Sequence, residues 1–562
     1  MTMTSARPLL RLPSLIDPAS SPARPWAASD AIILAGLLLF ALALRMALFN
    51  GFFGSDDLVY LARSLQIAEG VWSSANYNGS LRYGYNIPAA LFIQSFGLNT
   101  FTANAWTLFC SLAEVAVVYL FAVRFLNRRT AIFAALILSS MPLHIALGTR
   151  IHADAVLGLF LTLSFALFYA AEQTGKRMLY LATGLALGMI FWVKELAVIT
   201  LLAFATYPLM AGRLKPEWGW VIAGGLVMLA GHLLLMYAIA GNPLHLITTV
   251  SSQLERGMTT DSYNDSAGYY FHYLFVNIRH TWIAPFLALS ALVALLFHSG
   301  RQQANGIVLY LAWWLLALLI VMSFTPVSFD PLRLTMKQSN YLNLFMAPLA
   351  LLGGWALAGM RGRVLSMTLL GLTLAGGIML AALSQHAYRL FTANSKAAVD
   401  FVKTHPDDWI IGSTNNRNML RVAAILERNP QLEAHFDTLD RAFAGEVPGA
   451  RPPHTEGYVI FDRETLDWGR TTPIPATPPV CWKPVALLVP DNRGAGYWLL
   501  AAAIRVSQIL PSALEQRVEP ALRSYLEPRP ATIYRVAADN LRCDAPSLAP
   551  GWRPDGLTQI PR

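Results

Sequence analysis

The chain is short of charge, of lysine and of cysteine, and each shortage carries information. Only 13% of its 562 residues are charged, against about 25% in soluble globular proteins. A hydrophobic fraction of 55% and a mean hydropathy of +0.45 complete the picture of a polytopic membrane protein. Basic runs interleaved with aromatics are lacking, so the net charge of +9 does not imply a nucleic-acid partner. Ionisable residues within the apolar stretches are few (Arg45, Glu114 and His232), which argues against a channel or pump. The chain has seven lysines against thirty-five arginines, a bias that points to a bacterial source with a GC-rich genome. Of the three cysteines, Cys110 lies in an apolar stretch as a small buried residue, whereas Cys481 and Cys543 fall in the polar C-terminal third. Those two are a disulfide candidate if that part faces an oxidising compartment. No internal repeat is present.

Residues 1–30, with Arg7, Arg11, Arg24 and scattered Pro and Ser, have no apolar core and read as a cytoplasmic tail. Apolar segments of spanning length follow at 31–49, 102–123, 131–147, 155–171, 178–193, 196–211, 218–240, 281–298, 307–324, 341–359 and 364–384. The first is longer than a signal-peptide core and reads as an uncleaved span. The connecting loops alternate. One set carries Arg7, Arg11, Arg24, Arg124, Arg128, Arg129, Lys176, Arg177, Arg213, Lys215, Arg301, Arg361 and Arg363; the other is longer and poorer in basic residues. The positive-inside rule then puts the N-terminus in the cytoplasm. With eleven spans, everything after about Ser384 lies outside. Residues 385–562 change character, being rich in Pro, Arg and Asp, with β-like runs at Trp409–Gly412 and Tyr458–Phe461 and helical patterns at 396–404, 415–428 and 495–526. The fold class expected is therefore an α-helical membrane domain (31–384) with about 11 transmembrane helices, an outer loop at 50–101, and a soluble α/β domain at 385–562.

Polar chemistry collects on the outer side. Asp56 and Asp57 sit just beyond the first span, although a carboxylate costs about 3 kcal/mol at a bilayer centre. The same loop holds Tyr60, Arg63, Arg82, Tyr83 and Tyr85. A short turn reads Gly148-Thr-Arg150-Ile-His152-Ala-Asp154, the sequence breaks at Lys194-Glu195, and a later loop reads Arg333-Leu-Thr-Met-Lys337-Gln-Ser-Asn340-Tyr341. Carboxylates, cations and tyrosines thus recur at one depth, at the ends of spans.

In order and spacing these residues resemble the GT-C glycosyltransferases, most closely the protein O-mannosyltransferase and aminoarabinose transferase group (glycosyltransferase family 39-like). The resemblance covers about 31–360. It rests on the acidic pair followed by Tyr60 and Ala62-Arg63, on Arg82-Tyr-Gly-Tyr-Asn-Ile-Pro88 running on to Phe96-Gly97, on the turn with Asp154, and on Gly184-Leu-Ala-Leu-Gly188 with Lys194. It implies transfer of a sugar from a polyprenyl phosphate to a hydroxyl acceptor (lipid, glycan or protein), with inversion, on the outer face of the inner membrane. One carboxylate then accepts the acceptor's proton while positive charge builds at the anomeric carbon. An unperturbed Asp of pKa about 3.9 is a weak base for an alcohol, so it acts late and its positioning matters most. The leaving phosphate needs cations rather than a strong acid; Arg82, Arg150, Lys194, Arg333 and Lys337 are the candidates.

Neighbouring side chains diverge, so only one of the acidic pair can face a substrate. By the resemblance Asp56 is the base, Asp57 fixes the loop or pairs with an arginine, and Asp154 assists. Tyr60, Tyr83 and His152 complete the substrate-binding set. A divalent cation held by Asp56, Asp57, Asp154 and His152 is left open, since relatives differ in metal use. Taken singly these residues also have plain readings: Asp56-Asp57 as a helix N-cap, His152 as an interfacial histidine, Arg82 and Arg150 as headgroup anchors, Lys194 as a cap. Tyr269-Tyr-Phe-His-Tyr273 reads as an amphipathic segment on the membrane. Two other functions compete, a transporter or flippase of lipid-linked sugar and a non-catalytic membrane anchor for the C-terminal domain.

Overall fold

The computed structural model describes residues 24–72, 74–195, 197–258, 263–297, 302–445, 456–509, 511–537, 541, 543 and 558–560. Arg7, Arg11 and Arg301, used above for sidedness, lie outside them. The chain forms two compact units, one of Met1–Phe49, Arg63–Gly97 and Phe101–Ala381, the other of Asn50–Ala62, Leu98–Thr100 and Ala382–Arg562.

The first unit is a helical bundle. Among the described residues seven helices are long and apolar enough to cross a membrane: Ala28–Ala47, Thr100–Phe125, Ala153–Thr174, Pro216–Ala240, Gly306–Phe324, Ser339–Gly359 and Arg363–Thr404. The segment expected as one span at 131–147 is instead two helices, Arg128–Ser140 and Pro142–Gly148, bent by 66°. Pro142 lacks an amide proton and opens the second helix, where none is needed. Three further segments are helical but short: Arg177–Val193, Val198–Ala211 and Ala284–Leu296. The span expected at 364–384 runs on as one 42-residue helix to Thr404, absorbing the separate helix read at 396–404. The segment at 50–101, expected as a loop, is largely helical, with Asp56–Ala68, a 3-10 turn at Asn78–Leu81 and Tyr83–Phe96.

Helices Arg177–Val193 and Gly219–Ala240 approach closely because small residues face each other. A methyl group on Gly184 would lie 2.0 Å from the Val221 carbonyl oxygen, and one on Gly188 would lie 2.3 Å from Met228 Cβ. Such small-residue faces let backbones pack where lipid offers no hydrophobic drive. Between Gly306–Phe324 and Ser339–Gly359 the chain makes a two-stranded hairpin, β1 (Pro326–Phe329) and β2 (Leu332–Leu334).

Of the ionisable groups in the spans, Arg45 and Glu114 are linked through His144, whereas His232 meets only aromatic rings. Arg45 donates to Ser111 Oγ (2.9 Å) and to the Ala41 carbonyl (2.9 Å), and its Nη2 lies 2.7 Å from His144 Nδ1. His144 Nε2 lies 3.2 Å from Glu114, whose other oxygen accepts from Thr162 (2.9 Å). His232 is buried between the rings of Phe191 and Trp192.

The second unit contains a six-stranded mixed sheet of β3 (Trp409–Gly412), β4 (Phe436–Thr438), β5 (Glu456–Asp462), β6 (Lys483–Leu488), β7 (Ala531–Ala537) and β8 (Thr558–Ile560), in the order β4-β3-β5-β7-β6-β8. Strands β3, β4 and β5 run parallel, and β7 is antiparallel to both β5 and β6. Trp409, Ile411, Val459, Phe461 and Trp482 lie in its core. Both β-like runs of the sequence are strands here; the other four strands carried too little alternation to be read. The helical pattern at 495–526 is two helices, Ala495–Ser507 and Ser512–Ser524, with Pro511 at the break. Cys481 and Cys543 form a disulfide, with Cα atoms 5.6 Å apart.

Candidate active site

In the first unit three of the expected polar residues, His152, Asp154 and Lys194, meet at helix ends. Helix Ala153–Thr174 begins with His152 as its cap, which puts Asp154 in the first turn, where a carboxylate suits the helix dipole. Helix Arg177–Val193 ends at Lys194, and the 3-10 turn Ser339–Leu342 opens the next span. Asp154 and Lys194 are buried, at 0% and 4% exposure. The Lys194 ammonium lies 2.9 and 3.1 Å from the two Asp154 oxygens and 4.4 Å from the centre of the Tyr341 ring. His152 Nδ1 lies 2.6 Å from Asp154 Oδ2, Asn340 donates to the same oxygen (2.9 Å), and Asn343 donates to the Asp154 backbone carbonyl (2.7 Å).

A second pair adjoins through the chain. Arg82 holds Glu195 through two bonds, Nη2 to Oε1 (2.7 Å) and Nε to Oε2 (3.3 Å), and Asn78 donates to Oε1 (2.9 Å). Burial raises the Glu195 carboxyl's pKa, but the guanidinium beside it outweighs this and holds it below the usual range. Arg150 donates to the Ala146 carbonyl (3.2 Å) from a half-buried position. Lys337 is buried, donates to the Thr335 carbonyl (2.6 Å), and is brought down to about 8 by desolvation despite Asp265. Arg333 is partly exposed, 3.7 Å from Asp265. Tyr83 is fully buried; its hydroxyl accepts from Arg63 (2.7 Å) and its ring stacks on Trp72.

The other expected residues belong to the second unit. Asp57 is buried and accepts from three successive amides, Phe53 (2.6 Å), Gly54 (3.1 Å) and Ser55 (2.5 Å). Asp56 is exposed at the first position of its helix, and Tyr60 is buried at 1% exposure. The pair thus divides into one carboxylate consumed by local backbone and one presented outward.

Four participants were not picked out from sequence. Glu195 was visible as the neighbour of Lys194, and Asn340 and Tyr341 stood at the end of the Arg333 stretch; Asn343 gave no signal beyond lying in a span. As to a divalent cation, no three His, Cys, Asp or Glu side chains gather to hold one among the described residues. In the His152–Asp154 pair, the lysine ammonium and the Asn340 amide already occupy the carboxylate. These groups do not fit a hard cation, which needs several anionic or neutral oxygens rather than an ammonium.

Along the same helix as Lys194 runs an apolar cavity of about 620 Å³, lined by Leu187, Gly188 and Phe191 on one side and Ile222, Leu226 and Leu229 on the other. Ile222, Leu226 and Leu229 are exposed on the surface of the bundle. Phe191, which lines the cavity, is three residues before Lys194, about 4.5 Å of helix rise.

Residues 85–236 match the family model of dolichyl-phosphate-mannose-protein mannosyltransferases. The undecaprenyl phosphate-alpha-4-amino-4-deoxy-L-arabinose arabinosyl transferase of Shewanella sediminis (strain HAW-EB3) is 28% identical over 267 residues; the match spans 46% of each chain, less than half of that relative's length. The crystal structure of ArnT from Cupriavidus metallidurans bound to undecaprenyl phosphate superposes with a TM-score of 0.53, at 15% identity, over 78% of this chain and 94% of that one. The resemblance to GT-C membrane glycosyltransferases therefore holds in sequence over residues 85–236 and in fold over 78% of the chain.

Proposed function

We propose that this GT-C-like multi-span membrane protein is a glycosyltransferase that moves a monosaccharide from a polyprenyl phosphate to a hydroxyl acceptor, a lipid, glycan or protein, with inversion. The observation that carries this reading is the apolar cavity lined by Phe191, one helical turn before Lys194, which offers a lipid phosphate a groove for its tail and a cation near its head. The undecaprenyl phosphate in the name of the arabinosyl transferase relative and in the ligand-bound ArnT structure supports the same donor class.

In this reading Asp56 is the base. The acceptor oxygen attacks the anomeric carbon from the face opposite the phosphate, the C–O bond to phosphate breaks with its electrons on the phosphate, and the hydroxyl proton passes to Asp56. Its exposure, beside an Asp57 fully engaged with backbone amides, supports that choice. Asp154 is a positioning residue: burial and four polar contacts leave it fixing Lys194 rather than taking a proton. Lys194, Lys337, Arg150 and Arg333 supply positive potential for the leaving phosphate, with Arg82 acting through Glu195. The enzyme sits in the bacterial inner membrane with its site and C-terminal domain outside; the Cys481–Cys543 disulfide favours an oxidising compartment.

The test uses membranes containing wild type or Asp56→Asn and follows label from undecaprenyl phosphate carrying 4-amino-4-deoxy-L-arabinose, with mannosyl and glucosyl donors alongside. Loss of transfer in Asp56→Asn with donor binding retained is expected. Transfer at the wild-type rate removes Asp56 as the base, and a wild type inert with every polyprenyl-phosphate sugar removes the reading itself.

A further inference from the structure

The second unit encloses the loop that carries Asp56. Asn50 is gripped on all sides: its amide donates to the Gln385 carbonyl (2.7 Å) and side chain (3.1 Å), its Oδ1 accepts from Arg389 (2.6 Å), and its backbone carbonyl accepts from Lys396 (3.2 Å). The Phe53 ring stacks on Phe391 at 5.0 Å and meets Tyr388 and Trp468 edge-on. Helix Thr414–Leu426 then takes hold of the next two carbonyls. Asn415 donates to Phe53 O (3.0 Å) and Asn418 to Gly54 O (2.8 Å).

The loop is matched to this grip. Gly54 has a φ of +80°, open to glycine but strained for other residues. A methyl group there would come within 3.1 Å of both Asn415 Nδ2 and Met419 Sδ, so the close approach needs the bare backbone. The amides of Phe53, Gly54 and Ser55 point the other way, into Asp57. Both hydrogen-bonding edges of the loop are therefore held, one by Asp57 and one by the two asparagines. The next residue after this doubly held stretch is Asp56.

We infer that the C-terminal domain is a clamp for the base loop, with Asn415 and Asn418 as positioning residues that fix the orientation of Asp56. This rests on the reading of Asp56 as the base. Loops are mobile unless something holds them, whereas proton transfer requires a heavy-atom reach of about 2.6–3.2 Å. A weak base acting late in the reaction has most to lose from loose positioning, and a rigid supporting shell supplies it.

The experiment takes the full-length protein in nanodiscs, wild type and Asn415→Ala/Asn418→Ala, and measures amide hydrogen exchange together with transfer kinetics. The clamp predicts faster exchange at Phe53–Ser55 with the β5 amides unchanged, and a kcat lower by on the order of 10- to 100-fold at constant donor KM. Wild-type exchange at Phe53–Ser55 overturns it, as does a rise in donor KM with kcat intact. If the double variant also loosens β5, the single Asn418→Ala, at a half-buried position, replaces it under the same two criteria. Asp56→Asn is run in parallel. Transfer surviving there defeats the base assignment, while the exchange data still judge the clamp, so the two failures are distinguishable.

Discussion

Replacing Lys194 by Met tests whether the centre of the membrane-domain site is a buried ion pair. The substitution keeps an unbranched apolar stem and deletes only the ammonium. Asp154 then remains at 0% exposure with His152 and Asn340 as its side-chain partners. Breaking a buried pair from one side costs about 3–5 kcal/mol, because an uncompensated charge is left behind. Asp154→Asn leaves the ammonium over Tyr341 with no carboxylate at 2.9 Å and falls in the same range. The double variant removes both charges, so its loss is smaller than the sum, with a coupling of about 0.5–3 kcal/mol. Reversible unfolding in mixed detergent–SDS micelles, followed by tryptophan emission, supplies the free energies, and a four-variant cycle isolates the coupling. A loss of 3 kcal/mol corresponds to a change on the order of 10²-fold in the folded-to-unfolded ratio. If Lys194→Met costs less than about 1 kcal/mol, as an exposed pair does, and no coupling emerges, the pair is solvated and the reasoning fails.

Lys337 gives a pH-dependent outcome. Desolvation brings its folded-state pKa to about 8, below the ordinary lysine value. In the unfolded chain it stays protonated to higher pH, so the unfavourable burial of its charge is fully present below about pH 8 and is relieved as pH rises above that. If its charge helps to hold the donor phosphate, donor KM climbs as pH passes through about 8, and Lys337→Arg abolishes the step; a wild-type profile flat over that range rejects the role. Gly184→Val tests the helix contact behind the groove. Its first methyl-bearing carbon would overlap the Val221 carbonyl, so helices Arg177–Val193 and Gly219–Ala240 must separate. The expected cost is at least about 1–3 kcal/mol in the same unfolding assay, and wild-type stability contradicts the close packing.

What the sequence made legible follows from the range of the forces involved. Apolar runs declare themselves residue by residue, so each of the eleven segments corresponds to helix, and the break at Met141-Pro142 was written in a proline that the hydropathy pattern overran. Charged residues at span ends are equally visible, which is why Arg82, Asp154, Lys194 and Lys337 were picked out. Their partners were not. Glu195 stands next to Lys194 in the chain yet pairs with Arg82, 113 residues away, and no local pattern encodes that choice. Asp57 was readable as a loop-fixing neighbour because its three amides lie within four residues. The clamp was not readable at all, since Asn415 and Asn418 look like ordinary members of a capped helix and reach the loop across more than 360 positions.

The two acidic positions put forward for chemistry are thus treated in opposite ways. Asp154 is buried and its charge is matched by an ammonium, so its proton affinity serves structure, and what it delivers is a fixed lysine. Asp56 is exposed, and the order lies in its backbone, through Asp57 on one side and two asparagine amides on the other. For a displacement whose leaving group is already a stable anion, this division is chemically economical. Proton acceptance occurs late and asks for accurate placement of an ordinary carboxylate rather than a raised pKa. The phosphate asks for positive potential close to lipid, where solvated lysines and arginines would be screened and mobile. In the function proposed above, Lys194, held by Asp154 and Tyr341, is assigned to that second demand and the clamped loop to the first.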